Sequence, residues 1–295
     1  MSSKIKVDIK TLLEAGAHFG HKTSRWNPKM SKYIHSKRGG IHIIDLEQTL
    51  TQLEKSANFL NSVAASGKKI LFVGTKKHIA PTIQEVAEKI NMPYVTERWM
   101  GGMLTNFTTI SERVKRLKQL NEELESGELS ETYNKREILE FSEERDKLAQ
   151  DFGGIMEMDG APGAVFVSDV ITEKTAIREA KRLKIPIVAI VDSNGDPTIV
   201  DYPIPANDDA LKTIELITSV LTEAIAEGSA GYSSKPRPKE ESSAEPKQVA
   251  TKPNKETEVK TKTATKTNTK KPATTKASSP KKKVTDDKSG KKEDK

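Results

Sequence analysis

Three short runs of almost unbroken apolar residues, Ile70–Val73, Ala164–Val167 and Ile187–Val191, constrain the fold more than any other feature of the chain. Each is four or five residues long and mostly β-branched, which suits a strand and is too short for a helix. A strand with no polar side has both faces covered, as in a parallel sheet. Helical patterns separate the runs. Leu46, Leu50, Leu53, Ala57, Leu60 and Ala64 lead to Gly67, a C-cap residue; Ile79, Ile83, Val86 and Ile90 follow the first run; Ile177, Ala180 and Leu183 lie between the second and third. Extended pieces at 41–44, 94–97 and 202–204 and a last helix with Leu211, Ile214, Ile217, Leu221 and Ile225 complete the alternation. The prediction is an α/β fold, a doubly wound parallel sheet.

That alternation is interrupted once and finally abandoned. Residues 105–126 and about 134–150 are helical and heavily charged, with a break at Ser126 and Gly127. Their apolar stripe is thin: Val114, Leu117, Leu120 and Leu124, answered by Tyr133, Leu139 and Leu148. Such a stripe on two charged helices predicts an antiparallel coiled-coil hairpin inserted into the sheet fold. After Gly228 almost only Lys, Thr, Ser, Pro and Glu remain, a composition that cannot bury enough surface to offset its chain entropy. The expected organisation is the first part of the α/β domain with a basic N-terminal region (1–104), the hairpin insertion (105–152), the second part of the domain (153–228) and a disordered basic tail (229–295).

The formal net charge of +7 belongs to that tail. From Ser233 onward there are 19 Lys plus Arg against 9 Asp plus Glu, which leaves 30 against 33 for residues 1–232. Within this slightly acidic body the first 40 residues hold nine basic side chains and only Asp8 and Glu14, a local positive patch. Asp8 stands where a short helix carrying Leu12, Leu13 and Ala17 needs an N-cap.

The absence of cysteine excludes a disulfide framework, a thiolate zinc site and a cysteine nucleophile. No run approaches the length of a membrane span and the amino terminus lacks a signal-like apolar stretch, which points to a cytosolic protein without a membrane partner. A doubly wound sheet raises the question of a nucleotide at its switch point. The turn after 70–73 offers Gly74 alone, not GxGxxG, and neither a P-loop nor a GxSxG elbow occurs, so no cofactor and no small-molecule substrate is required. One acidic constellation remains. Asp192 ends a strand and Asp208 and Asp209 precede the next helix, an arrangement of oxygen ligands that could hold a divalent cation and serve a metal-dependent α/β enzyme. The competing reading has Asp208 or its neighbour cap that helix while Asp192 serves the turn at 193–195.

Residues 18–40, HFGHKTSRWNPKMSKYIHSKRGG, are poor core material and read as a basic loop. Lys22, Arg25, Lys29, Lys32, Lys37 and Arg38 are suited to displace the counterions of a phosphate backbone, while Trp26 and the tyrosine stack on sugar or base. His18 and His21 have no third ligand nearby and read as hydrogen-bonding residues. Residues 98–107, RWMGGMLTNF, add Arg98 and Asn106 at a strand-to-helix junction. Gly101 and Gly102 permit a positive φ or a close approach, and the following helix N-terminus suits a phosphate. The other reading is a glycine turn with Trp99 and Phe107 in the core.

Three long motifs, LLEAGAHFGHKTSRWNPKM, RWMGGMLTNF, and PGAVFVSDVITEKTAIREAKRLKIPIVAIVDSN followed by YPIPANDDA, resemble in sequence and order the signatures of the bacterial small-subunit ribosomal protein two family. The resemblance extends over residues 8–227. It implies a flavodoxin-like five-stranded parallel sheet with an inserted coiled-coil hairpin, bound to small-subunit rRNA where head and body meet. It also implies contact with other small-subunit proteins, including the large messenger-binding ribosomal protein one where that protein exists. The tail is longer and richer in lysine than the family pattern, and the resemblance does not account for it.

Overall fold

In the computed structural model of this chain the described residues are 7–126 and 133–233. Helix α1 (Ile9–Glu14) is capped by Asp8, whose carboxylate accepts the Thr11 amide at 2.8 Å. It is followed by β1 (Phe19–Lys22), β2 (Ile34–Arg38) and β3 (Ile41–Ile44), then by α2 (Leu46–Ala65), β4 (Ile70–Val73), α3 (Ala80–Lys89) and β5 (Tyr94–Val95). Helices α4 (Phe107–Ser126) and α5 (Lys135–Phe152) come next. The chain then runs through β6 (Ala164–Val167), α6 (Lys174–Arg182), β7 (Ile187–Val191), β8 (Tyr202–Pro205) and α7 (Leu211–Ser233).

Five parallel strands form the main sheet in the order β5-β4-β6-β7-β8. Numbered along the chain within that sheet this is 2-1-3-4-5, the flavodoxin-like order, with its switch point between β4 and β6. The unbroken apolar runs conceal a period of two. Leu71, Val73, Val165, Val167 and Ala189 face a core shared with α4, α5 and α6. Ile70, Phe72, Phe166, Val188 and Ile190 face a second core under α1, α2, α3 and α7. The edges are blunt: β5 has only two residues, and β8 carries Pro203 and Pro205.

Residues 18–40 are not one loop. They contain β1, β2 and two 3-10 helices, Thr23–Arg25 and Pro28–Tyr33, and the strands pair antiparallel with β3 in the order β1-β3-β2. Gly39 and Gly40 both have positive φ, +60° and +78°, as the tight β2–β3 hairpin requires. This small sheet shows no apolar alternation because most of its side chains meet solvent.

The two charged helices form the expected hairpin, but its seam differs in detail. Ile110, Val114, Leu117 and Leu120 are buried on α4, and Leu148 and Phe152 on α5. Tyr133 and Leu139 are exposed, and Phe141 takes their place beneath Arg116, whose guanidinium also bonds Glu144 at 3.2 Å. The last helix reaches Ser233, so its final turn takes in residues 229–233 of the expected tail. Gly228 lies against the Asn61 carbonyl and the Tyr232 ring covers Gly67, contacts that hold this turn on α2. The rest of the tail lies outside the described residues.

Candidate nucleic-acid interface

The basic N-terminal segment is fixed from beneath. Met30 and Tyr33 are buried in the core under α6, Asn27 caps the Pro28–Tyr33 turn by accepting the Lys29 amide at 3.1 Å, and the Asn27 amide donates to the Ser193 carbonyl at 2.9 Å. The Ser193 hydroxyl accepts the His21 amide at 2.8 Å. These anchors leave Lys22, Arg25, Lys32, Lys37 and Arg38 exposed. Lys29 is exposed too, but its ammonium already bonds Asp196 at 2.6 Å and Thr198 at 3.2 Å. Trp26 is half-buried, with the His42 ring at 5.2 Å and the Lys37 ammonium 5.7 Å from its centroid. Tyr33 is too deeply buried to be a base platform, contrary to the sequence expectation.

In the 98–107 segment the core takes Trp99, and Phe107 packs partly against it. Trp99, Met103 and Leu104 are buried, and the anion that the glycine turn invites is internal. It is Glu179, the one acidic residue of α6. Its Oε1 accepts the Trp99 indole N–H at 3.1 Å and the Gly102 amide at 2.8 Å. Its Oε2 accepts the amides of Leu104 and Thr105 and the Thr105 hydroxyl at 3.0 to 3.1 Å. Gly102 has φ +96°, which lets the backbone wrap the carboxylate. Burial works against the Glu179 charge, yet the Gly102 and Thr105 bonds outweigh it and hold the pKa below the ordinary value. Arg98 and Asn106 remain exposed at the two ends of this turn. Sequence reasoning missed Glu179; the only signal was a lone acid among the bases of an otherwise cationic helix.

At the carboxyl ends of the strands the fold does bring Asp192, Asp208 and Asp209 together, and adds His21, Lys76 and Asp169. Lys76, in the loop after β4, places its ammonium 3.1 Å from Asp169, 3.4 Å from Asp208 and 2.8 Å from Asp209. His21 spans Asp192 at 2.9 Å and Asp209 at 3.4 Å. Asp208 does not cap α7. Asn207 closes the turn just before that helix, accepting the amides of Asp209 and Ala210 at 2.9 and 3.2 Å. Asp192 does serve the turn, since its carboxylate accepts the Ser193 amide. Burial, reinforced by the carboxylates of Asp169 and Asp192, pushes Asp208 up to about 8. The Asp192 bond raises His21, and although burial opposes the Lys76 charge, the Asp209 bond and the Asp208 and Asp169 charges raise its pKa. Ligand atoms of His21, Asp208 and Asp209 lie within 4.8 Å of one another, so this trio, rather than the three aspartates alone, has the spacing to hold a metal ion. The Lys76 ammonium already occupies that corner as a cation.

No helix among the described residues is long and apolar enough to cross a membrane. A family model described as Ribosomal protein S2 matches residues 12–228. Small ribosomal subunit protein uS2 of Mycobacteroides abscessus is 50% identical over 222 residues, covering 75% of this chain and 80% of that protein. The protein of the same name in Fusobacterium nucleatum is 48% identical over 225 residues, covering 76% of this chain and 91% of its own length. The anchored motifs, the strand order and a match that runs from α1 into α7 agree, and the chain belongs to the ribosomal protein S2 family.

Proposed function

We propose that this protein is a structural constituent of the small ribosomal subunit in the cytoplasm, where it binds small-subunit rRNA and neighbouring ribosomal proteins and catalyses no reaction. The observation that carries the RNA contact is the exposed set Lys22, Arg25, Lys32, Lys37 and Arg38, held outward on a segment whose apolar residues are anchored in the core, with Arg98 on a second anchored turn. Phosphate contacts dominate, because basic side chains abound while Trp26 is partly covered and Tyr33 buried. Lys29 contributes less, since Asp196 neutralises it, and Trp26 and Asn106 add packing and a polar rim. For a protein neighbour such as ribosomal protein one, exposed Ile9 and Leu13 on α1 and exposed Phe19 on β1 supply apolar surface.

The enzyme alternative finds no support in the relatives. A divalent cation at the acidic corner, the reading favoured by the closeness of His21, Asp208 and Asp209, has to compete with Lys76 for the same carboxylates. The test of the main reading is sedimentation of the protein with small subunits from a lysate. The wild type should travel with them, and a Lys22→Ala, Arg25→Ala, Lys32→Ala variant that keeps its fold should leave them at lower salt. Wild-type protein remaining at the top of the gradient would refute the ribosomal role.

A further inference from the structure

Helices of net negative charge cover one side of the main sheet, and a cationic cluster lies on the other. On the side of α2, α3 and α7, those helices hold three lysines against seven glutamates. On the other side the N-terminal cations, the Arg98 turn and α6 pack on a common core with α4 and α5, whose eight bases and ten acids nearly balance. Helix α6 is strongly one-sided. Lys174, Arg178, Lys181 and Arg182 are spaced four, three and one residues apart, so they share one face, and all four are exposed. Ala176, Ile177 and Ala180 occupy the buried face, and the helix's one acid, Glu179, is turned inward onto the Arg98 turn.

None of the four cations pairs with a carboxylate among the described residues. Like charges four residues apart, such as Lys174 with Arg178 and Arg178 with Arg182, destabilise a helix. The helix dipole compensates only those in the last turn, Lys181 and Arg182. Among the described residues the stripe therefore carries a local cost that no carboxylate offsets, and two of its members are arginines, whose planar forks match phosphate oxygens.

We infer that the outward face of α6, formed by Lys174, Arg178, Lys181 and Arg182, is a second contact for the phosphate backbone of small-subunit rRNA. This inference rests on the ribosomal reading and extends it. Glu179 ties the stripe to the Arg98 turn, so α6 and that turn present their cations as one unit. An acidic protein segment is the competing occupant. RNA is favoured because the exposed cations of the N-terminal segment and Arg98 pack on the same core as α6, so the stripe adds to a positive cluster already there.

The experiment uses the full chain and transcribed small-subunit rRNA, with affinity followed across about 50 to 200 mM salt. Changing all four residues to glutamine should weaken binding tenfold or more at the low end and flatten the salt dependence by about 0.7 to 0.9 log unit for each phosphate no longer neutralised. Changing Lys55, Lys89 and Lys212 on the opposite side to glutamine should leave both quantities unaltered. A charge-keeping variant, Arg178→Lys with Arg182→Lys, should retain the wild-type slope, and unchanged melting of every variant verifies the fold. Equal slopes for the α6 and opposite-side variants would overturn the inference while leaving the ribosomal reading intact. Normal RNA binding with failure to enter subunits would also overturn it and assign the face to an acidic protein. A wild type that neither binds rRNA nor enters subunits would remove the ribosomal reading and this inference together.

Discussion

Replacing Glu179 by alanine tests whether an internal carboxylate, rather than a bound phosphate, organises the 98–107 turn. Five donors converge on its two oxygens. Two of them, the Trp99 indole N–H and the Leu104 amide, belong to buried residues. The other three lie nearer solvent, where water can replace the missing acceptor. Leaving a buried donor unsatisfied costs about 1–3 kcal/mol, so the two buried donors alone cost about 4 kcal/mol. Relief of the carboxylate's own desolvation offsets part of this, and the removal of charge-assisted bonds adds to it, which gives a net of about 3–5 kcal/mol. For a body of this size that should lower the melting temperature by roughly 6–20 °C. Urea titration should show a lower midpoint with an unchanged slope, and hydrogen exchange should quicken at Gly102, Leu104 and Thr105. Glu179→Gln keeps one acceptor oxygen but turns an NH2 group toward donors, so about half the loss is expected. Because the folded pKa of Glu179 is lowered, its contribution is present above the ordinary carboxylate value and is lost as pH falls through the folded value. The gap between wild type and Glu179→Ala should therefore close in acid. A loss under about 1 kcal/mol, with the three amides still protected, would refute the reasoning.

Two further expectations concern the acidic corner. The raised pKa of Asp208 means that the folded state keeps a proton which the unfolded chain releases between its ordinary 3.8 and about 8, so stability falls as pH rises through that window. His21, also raised, adds a loss from its ordinary 6.5 upward; thermal unfolding should slope down with pH in the wild type and less so in Asp208→Asn, and equal slopes would refute the assignment. Chelation should leave exchange across residues 190–212 unchanged, because Lys76 and His21 already meet the carboxylates there, whereas Lys76→Met should destabilise by about 3–5 kcal/mol. Loosening by a chelator in the wild type would instead establish a bound cation.

The main sheet was legible because its signals are local. Residues 70–73, 164–167 and 187–191 are apolar on both faces, and that can only be satisfied inside a covered parallel sheet. The capping of α1 by Asp8 and the helical period of α2 are equally short-range. What escaped the sequence depends on contacts between distant segments. The β2–β3 hairpin left a trace in Gly39 and Gly40, but β2 is too exposed to alternate, and the buried position between the isoleucines of β3 is a histidine, His42. The bond from His21 to Asp192 joins the first small sheet to the end of β7, and no spacing in the chain announces it. Asp208 illustrates the same limit. Its position before a helix suggests a cap, yet Asn207 closes the turn at Asp209 and Ala210 that leads into the helix, and Asp208 turns inward to Lys76. The cationic face of α6 was in plain view as KTAIREAKR, but which side of the helix is outward follows only from the burial of Ala176, Ile177 and Ala180.

The closing of the switch point explains where the working surface of this fold must lie. In the flavodoxin-like order a ligand ordinarily enters between the carboxyl ends of the strands that correspond to β4 and β6. Here Lys76 extends from the loop after β4 and meets Asp169 after β6, while Thr75 donates its amide and hydroxyl to Glu173 at 2.8 and 2.6 Å. The N-terminal segment then lies over Asp192 and Ser193, with Gly20 so close that a Cβ there would stand 2.7 Å from the Ser193 hydroxyl. A crevice filled by internal ions and capped by its own chain can be retained by a fold whose task is to present a surface. The carboxylates that would repel RNA are sequestered against Lys76 and His21, and the cations are displayed on the outside of the same cap and on α6. The N-terminal cations and the α6 stripe, clustered on one side of the sheet, give the body a direction in the field of a polyanion, so on the proposed reading it should approach rRNA by that cluster although residues 1–232 carry a net negative charge.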